Sequence, residues 1–184
     1  MVSDDIRKMG WPAYGTPPRD DGLEKAHGSP PVVEDYHIDV AEVSESGSVV
    51  EIRDLLCRLY GTPEQCSEPN PYLATYMRLR GTALPRNAEG KPQDTAIGTV
   101  DFGYWPTLNL GYIESVRVRT DVRKRGVGLA LLNFGVDYMQ RRKMARIYSF
   151  AVNREGYKLL ESGGFSPEEP DDPARPWRTW FVKK

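Results

Sequence analysis

Apolar and polar positions follow a regular pattern along most of the chain, and this pattern predicts a succession of strands. Alternating segments typical of strands are VVEDYHIDVAEV from Val32, YLATYMRLRG from Tyr72, TAIGTVDFGYW from Thr95 and YIESVRVRT from Tyr112. The segment ARIYSFAV, from Ala145, is a nearly continuous apolar run, which is typical of a strand buried on both faces. RTWFVK, from Arg178, predicts a last strand.

Helical periodicity predicts the elements between these strands. The segment from Ser46 to Gly61 has a stripe made of Val50, Leu55, Cys57 and Leu59. A second helix begins near Gly126, with apolar residues at Val127, Leu131, Phe134 and Tyr138. A third begins at Asn153, a good N-cap, and ends before Gly163 and Gly164. The order of elements indicates an α/β or α+β sheet with helices on both faces.

The first 31 residues differ from the rest, because they contain five prolines and four glycines. Such a composition is not compatible with a regular core element. We therefore divide the chain into an N-terminal arm at residues 1–31 and a domain at residues 32–184. Docking of the arm through Trp11 and Tyr14 remains open.

Composition narrows the class of protein. The chain of 184 residues fits one domain, and its 39% hydrophobic and 28% charged content is typical of soluble globular proteins. A net charge of −1 argues against a protein built mainly to bind nucleic acid. No apolar run has the roughly 20 residues of a membrane span, and no signal peptide is recognisable. Cys57 and Cys66 fit no metal-binding spacing, so we expect no metal site, and we expect reduced thiols and a cytoplasmic location.

A glycine-rich turn, RKRGVG at residues 123–128, stands where the fourth predicted strand meets the second helix. Its residues are unfavourable at a helix start, because glycine costs about 1 kcal/mol against alanine and cations oppose the helix dipole. Backbone amides and glycine flexibility there suit phosphate, above all pyrophosphate. The P-loop pattern is missing, and a dinucleotide fingerprint would need a third glycine. An exposed basic turn without a ligand remains the alternative.

The same residues resemble a known family. YIESVRVRTDVRKRGVGLALL resembles motif A of the GNAT superfamily of acyl-CoA-dependent N-acetyltransferases, whose signature Arg/Gln-x-x-Gly-x-Gly/Ala is matched by Arg123, Gly126 and Gly128. NREGYKLLESGGF resembles motif B, with Asn153 and Gly164 at matching positions. The resemblance implies a mixed, largely antiparallel sheet that splays between its fourth and fifth strands.

The resemblance also implies acetyl-CoA, or another acyl-CoA, as co-substrate. Its pyrophosphate would lie on the turn amides and its pantetheine arm along the fourth strand, where unpaired main-chain groups need partners. The residues expected to contact it are Val116, Arg117, Val118, Arg123, Lys124, Arg125, Gly126, Val127, Gly128, Leu129 and Asn153.

N-acetyl transfer benefits from a base, because well under about 0.1% of an ordinary amine is unprotonated at pH 7. Glu114 is the candidate, since it lies two residues before Val116 and regular alternation would place both side chains on one strand face. A structural carboxylate paired with Arg117 or Arg119 is the alternative reading of Glu114.

The acid that protonates the leaving thiolate is harder to predict. In many relatives a tyrosine stands seven residues after the motif B asparagine, where this chain has Leu160. Tyr157 lies one turn earlier on roughly the same helix face, so it is the candidate acid. Simple packing of Tyr157 on the helix is the alternative.

These observations predict an N-acetyltransferase in which an amine of a small molecule or protein attacks acetyl-CoA directly in a ternary complex. The loop SPEEPDDPARPW, from Ser166, would attract a cationic acceptor, although a solvated acidic loop is an equal explanation. The alternative function, suggested by Leu160, is a non-catalytic acyl-CoA-binding or interaction module. A nucleic-acid acceptor and a membrane partner are not expected, and a homodimer remains open.

Overall fold

A computed structural model of the chain describes residues 36–43, 49–60, 75–170 and 172–184. The expected arm at residues 1–31 lies outside them, so its boundary with the domain stays a prediction. The strands are β1 (Tyr36–Glu42), β2 (Met77–Pro85), β3 (Gly98–Trp105), β4 (Leu110–Val118), β5 (Arg146–Phe150), β6 (Ser166–Pro167) and β7 (Trp180–Lys183). The α-helices are α1 (Val49–Tyr60), α2 (Val127–Arg141) and α3 (Arg154–Ser162).

The strands form one sheet in the order β1-β2-β3-β4-β5-β7-β6. All neighbouring pairs are antiparallel except β4 and β5, which are parallel. A parallel pair needs a long crossover connection, and α2 provides it. The mixed, largely antiparallel sheet expected from the resemblance is therefore confirmed.

Two hydrophobic clusters cover the two faces of the sheet. Neighbouring residues of one strand enter different clusters, as Tyr112 and Ile113 do, because side chains of a strand alternate between faces. On the face that α2 covers, here called the α2 face, Leu131 and Met139 pack with Ile113. On the opposite face, the α1 face, Leu55 packs with Tyr112. The predicted helices on both faces are confirmed.

Some local predictions were less accurate. The buried stripe of α1 consists of Ile52, Leu55 and Leu56, whereas Cys57 and Leu59 are only half-buried. The strand β6 was not predicted, because a two-residue element has no alternation to detect. No described helix has the length and apolar character needed to cross a bilayer.

The cysteine expectation is wrong for Cys57, which is disulfide-bonded. No cysteine of the described residues is a free thiol, and Cys66 lies outside those residues. Because disulfides are rare in the cytosol, the cysteines no longer support the expected cytoplasmic location.

Candidate active site

The strands β4 and β5 run side by side for only part of their length. Residues 110–113 of β4 pair with residues 146–149 of β5, whereas β4 continues to Val118. The Oγ of buried Ser149 donates a hydrogen bond to the Ile113 carbonyl at 3.0 Å. This bond stabilises the last residue pair between the two strands, Ile113 with Ser149. Beyond Ile113, β4 has a strand partner on its β3 side only, within the part of the chain that the structure describes. One edge of residues 114–118 is thus open to hydrogen bonding.

A β-bulge lies at the point where the two strands separate. Ile113 pairs with Phe102 and Ser115 pairs with Asp101, so Glu114 is the extra residue of β4. The bulge overturns the expectation that Glu114 and Val116 share a face: Val116 packs against the α2-face cluster, whereas Glu114 contacts the α1 face through Tyr76. The Glu114 side chain is 3% exposed although the whole residue is half-buried, so its exposed area belongs to the main chain.

Tyr76, directly before β2, and Arg78, on β2, hold the Glu114 carboxylate; the two residues are here called the β2 segment. The Tyr76 hydroxyl donates to Oε1 at 2.9 Å, and Nη2 of Arg78 forms an ion pair with Oε2 at 2.5 Å. The alternative partners Arg117 and Arg119 are therefore wrong. Burial raises the pKa of Glu114, and the positive charge of Arg78 opposes this effect without cancelling it.

A second carboxylate–guanidinium pair lies beside the first on the α1 face. Buried Asp101 accepts hydrogen bonds from Arg80 at 2.6 and 3.2 Å and from the Ser115 hydroxyl at 3.2 Å. Arg80 therefore balances Asp101 as Arg78 balances Glu114. Four charged groups close together leave this part of the sheet electrically neutral.

Side-chain contacts also brace the turn between β4 and α2. Arg119 is 4% exposed and donates through Nε and Nη2 to the Asp121 carboxylate at 2.7 and 2.9 Å. The hydrogen bond from Arg119 holds the pKa of Asp121 below its ordinary value. Arg123 donates from Nε to the Val118 carbonyl at 3.1 Å, which ties the turn to the end of β4.

The backbone of the turn leaves several amides without a helical partner. Lys124 and Gly126 have left-handed φ angles of 62° and 82°, and α2 begins after Gly126 without a side-chain cap. The first helical hydrogen bond runs from the Ala130 amide to the Gly126 carbonyl, so the amides of residues 127–129 precede it and point out of the helix. This is the geometry of an anion-binding concavity.

The two glycines of the turn have different surroundings. A Cβ at Gly126 would meet nothing within 4 Å, so glycine is favoured there by its φ angle. A Cβ at Gly128 would lie 3.4 Å from Cγ2 of Val118 and 3.7 Å from Cδ1 of Leu159, which is ordinary contact distance, so packing within the protein does not require glycine there.

The predicted contact residues of β4 and the turn lie at one end of that strand. Val118 is half-buried against the α2-face cluster, as Val116 is, while Arg117 is exposed. Arg123, Lys124 and Arg125, which precede the amides of the turn in the chain, are exposed. The turn and the open edge of β4 are thus contiguous.

Helix α3 carries the motif B residues. The Oδ1 of Asn153 accepts a hydrogen bond from the Gly156 amide at 2.7 Å, so Asn153 is the N-cap, as predicted. Leu160 is buried in the α2-face cluster. Tyr157 packs edge-on against Phe181, with ring centroids 5.0 Å apart.

The neighbour that acts on the Tyr157 hydroxyl is Glu161, an exposed carboxylate one turn later on the same helix. Burial raises the pKa of Tyr157, and the Glu161 carboxylate raises it further. Tyr157 is therefore a weaker acid than an ordinary tyrosine.

The acidic loop before β7 is less negative than its sequence indicates. Glu168 forms an ion pair with Arg58 of α1 at 2.9 Å, and Asp172 forms one with Arg175 at 2.8 Å. Asp171 lies outside the described residues. Glu169 is exposed, so cationic partners neutralise two of the three described carboxylates of the loop and weaken the case for a cationic acceptor.

The sequence did not reveal Tyr76, Arg78 and Arg80 as neighbours of the candidate base. A signal was present, because these residues alternate with apolar Met77 and Leu79 and so form a polar face of a strand. The pairing of β2 with β3, which brings this face beside β4, could not be derived from the sequence.

Comparisons with known proteins place these features in context. A family model described as "Acetyltransferase (GNAT) family" matches residues 49–165, which is more than half of the chain. None of the curated proteins compared with the chain matches it.

Solved structures similar to the chain share little sequence with it. The catalytic domain of the Tetrahymena GCN5 histone acetyltransferase in complex with coenzyme A is 16% identical, with a TM-score of 0.49 over 80% of this chain and 91% of that one. PaiA N-acetyltransferase from Thermoplasma acidophilum is 14% identical, with a TM-score of 0.47 over 80% and 99% of the two chains. Nourseothricin acetyltransferase is 17% identical, with a TM-score of 0.40 over 61% of this chain and 65% of that one.

Proposed function

This chain belongs to the GNAT family of acetyltransferases, and from that premise we propose that it transfers an acetyl group from acetyl-CoA to an amine. The observation that carries the proposal is the contiguity of an amide-rich, cation-flanked turn with the open edge of β4. Both features offer hydrogen-bonding groups to one elongated, anionic ligand.

The residues present fit an acyl-CoA. The amides of residues 127–129 and the cations at residues 123–125 would hold its pyrophosphate. The open edge of β4 at Val116 and Val118 would pair with the pantetheine amides as a neighbouring strand does. Asn153 caps α3 through Oδ1, so its amide nitrogen can still donate to the arm.

Glu114 is the proposed general base. It accepts, directly or through one water, the proton that the acceptor nitrogen loses as that nitrogen attacks the thioester carbonyl carbon. The attack forms the amide bond and breaks the carbon–sulfur bond. The raised pKa of Glu114 suits this role, because a stronger base takes the proton more readily at a given pH.

The thiolate that leaves must gain one proton. Tyr157 is the tyrosine that motif B offers, but burial and the Glu161 carboxylate raise its pKa and so make it a weaker donor than an ordinary tyrosine. The burial of Leu160 in the core excludes a polar role for that position. Positioning of amine and thioester would then supply much of the rate enhancement.

The acceptor is proposed as an amine without a required positive charge. The described carboxylates Glu168 and Asp172 are paired with Arg58 and Arg175, and Glu114 is paired with Arg78. An amine that binds mainly in its neutral form would avoid the cost of desolvating an ammonium beside these neutral pairs.

The proposal is tested by calorimetry with acetyl-CoA and by CoA release across a panel of amines and peptides. Glu114→Gln should lower turnover by about 100-fold or more, as expected for loss of a general base, and leave acetyl-CoA affinity unchanged. Glu89→Gln is the matched control, because Glu89 is an exposed carboxylate in the loop between β2 and β3. Acetyl-CoA binding without release for any amine would instead support the non-catalytic module.

A further inference from the structure

The hydroxyl group of Tyr76 has no role in the function proposed so far. It donates to Oε1 of Glu114, while Arg78 binds Oε2, so each carboxylate oxygen has its own fixed partner. Such a carboxylate cannot rotate without breaking a hydrogen bond or an ion pair in a buried place, which is costly. The orientation of Glu114 therefore depends on both neighbours.

The Tyr76 ring packs in a site formed by Trp105 and Gly103. The ring lies against buried Trp105, with centroids 4.4 Å apart. It also lies directly over Gly103, where an added Cβ would come within 2.5 Å of the Tyr76 hydroxyl oxygen. No residue with a side chain fits at position 103 while the ring stays in place, so Gly103 and Tyr76 are matched.

We propose that Tyr76 is a positioning residue for Glu114: its hydroxyl orients the carboxylate and favours the ionised form that accepts the proton, and Gly103 makes room for its ring. The inference rests on the proposed role of Glu114 as general base. It concerns a residue outside the 112–132 and 153–165 segments that carry the family resemblance.

The sign of the effect follows from the groups that face Glu114. Tyr76 and Arg78, from the β2 segment, stabilise the ionised carboxylate. Burial and the negative charge of Asp101, on β3, act in the opposite direction. Removal of the Tyr76 hydroxyl takes away one stabilising hydrogen bond, so the pKa of Glu114 should rise.

The direct test is Tyr76→Phe, which keeps the ring on Gly103 and Trp105. Because a hydrogen bond to a charged group is worth a factor of about ten to a hundred, we expect kcat to fall by about that factor. The KM for acetyl-CoA should not change. The acidic limb of the kcat/KM profile should move to higher pH, which a purely structural role of Tyr76 would not cause. An unchanged kcat and pH profile would overturn the proposal.

Gly103→Ala tests the packing of the ring without removing a functional group, although the new Cβ would also crowd the Met77 carbonyl oxygen at 2.6 Å and shift β2. It should displace the ring and lower kcat at least as much as Tyr76→Phe does. The matched control is Gly81→Ala on β2, where a Cβ would crowd Val100 and Ile38 on the α2 face, away from Glu114. Gly81→Ala should lower stability with wild-type kinetics. Wild-type kinetics in a folded Gly103→Ala protein would show that Tyr76 does not need glycine at position 103. That result would overturn the proposed role of Gly103.

A measurement that does not depend on turnover separates this inference from the proposed function. Carbon-13 NMR of labelled glutamate side chains, assigned with Glu114→Gln, gives the titration of Glu114 in the wild type and in Tyr76→Phe. An upward shift in Tyr76→Phe supports the inference even if no amine is acetylated, and the lack of a shift overturns it. In the Glu114→Gln background, Tyr76→Phe should cause no further loss of turnover.

Discussion

The chemical character of Glu114 depends on residues far away in the sequence. Its place in motif A made it a candidate base from the sequence alone. Its hydrogen-bond partner Tyr76 is 38 residues away in the chain, and its ionic partner Arg78 is also on another strand. Strand pairing across β2, β3 and β4 creates these contacts, and no local pattern encodes them. A candidate residue could therefore be predicted, whereas its protonation and orientation could not.

Tyr157 is a residue for which position in a motif and contacts in the structure point to different roles. We expect Tyr157→Phe to keep most of the wild-type turnover, because burial and Glu161 raise the pKa of Tyr157 and make it a poor donor, and because the ring that packs on Phe181 is retained. Steady-state kinetics at saturating acetyl-CoA is the measurement, with Tyr148→Phe as a control for loss of a tyrosine hydroxyl from another element. A fall of about tenfold or more would restore Tyr157 as the acid.

At the scale of elements, order and type were predictable, but irregularities were not. The segment from Tyr112 to Thr120 has the alternation of a regular strand, and nothing in it marks a bulge. The bulge arises where Asp101 and Ser115 pair on the α1 face while Ile113 and Val116 keep to the α2 face. It leaves Glu114 on the face of Tyr76 and moves Val116 to the other face. One extra residue thus puts the candidate base and Val116 on opposite faces of the sheet.

The turn before α2 is the element that the sequence predicted best, and its two-glycine pattern permits a controlled test. Gly126→Ala should weaken acetyl-CoA binding by about tenfold, because a side chain at positive φ costs about 1–2 kcal/mol and displaces the amides. Gly90 is the matched control: it also has a positive φ of 76° and nothing within 4 Å of an added Cβ, but it lies in the loop between β2 and β3.

Both variants carry the same backbone strain, so thermal denaturation should show similar losses of stability. Calorimetry should show weaker acetyl-CoA binding in Gly126→Ala only. Equal affinities in the two variants would mean that the turn does not bind the co-substrate. A loss in both would mean that global destabilisation, and not the turn geometry, controls binding.

The whole molecule combines a predictable frame with contacts that join distant parts of it. The mixed sheet and the helices on both faces follow from the order of the elements and from the GNAT resemblance. The ion pair between Arg58 of α1 and Glu168 beside β6 joins residues 110 positions apart, and it neutralises a carboxylate that the sequence suggested for a cationic acceptor. Charge counted along a loop is thus a poor guide to its field when partners come from elsewhere in the fold.

The division of the chain into an arm and a domain is tested by truncation. A chain that begins at Val32 should fold and bind acetyl-CoA as the full chain does, because the described sheet and its two clusters are built from residue 36 onward. A chain that begins at Val43 is the matched control, since it also removes β1, whose Ile38 packs near Gly81 and Phe134. Circular dichroism melting should show a clear loss of stability only in the shorter chain, because β2 then loses its pairing with β1 and becomes an exposed edge strand. If the chain from Val32 also unfolds, the arm belongs to the folded domain and the boundary at residue 31 is wrong.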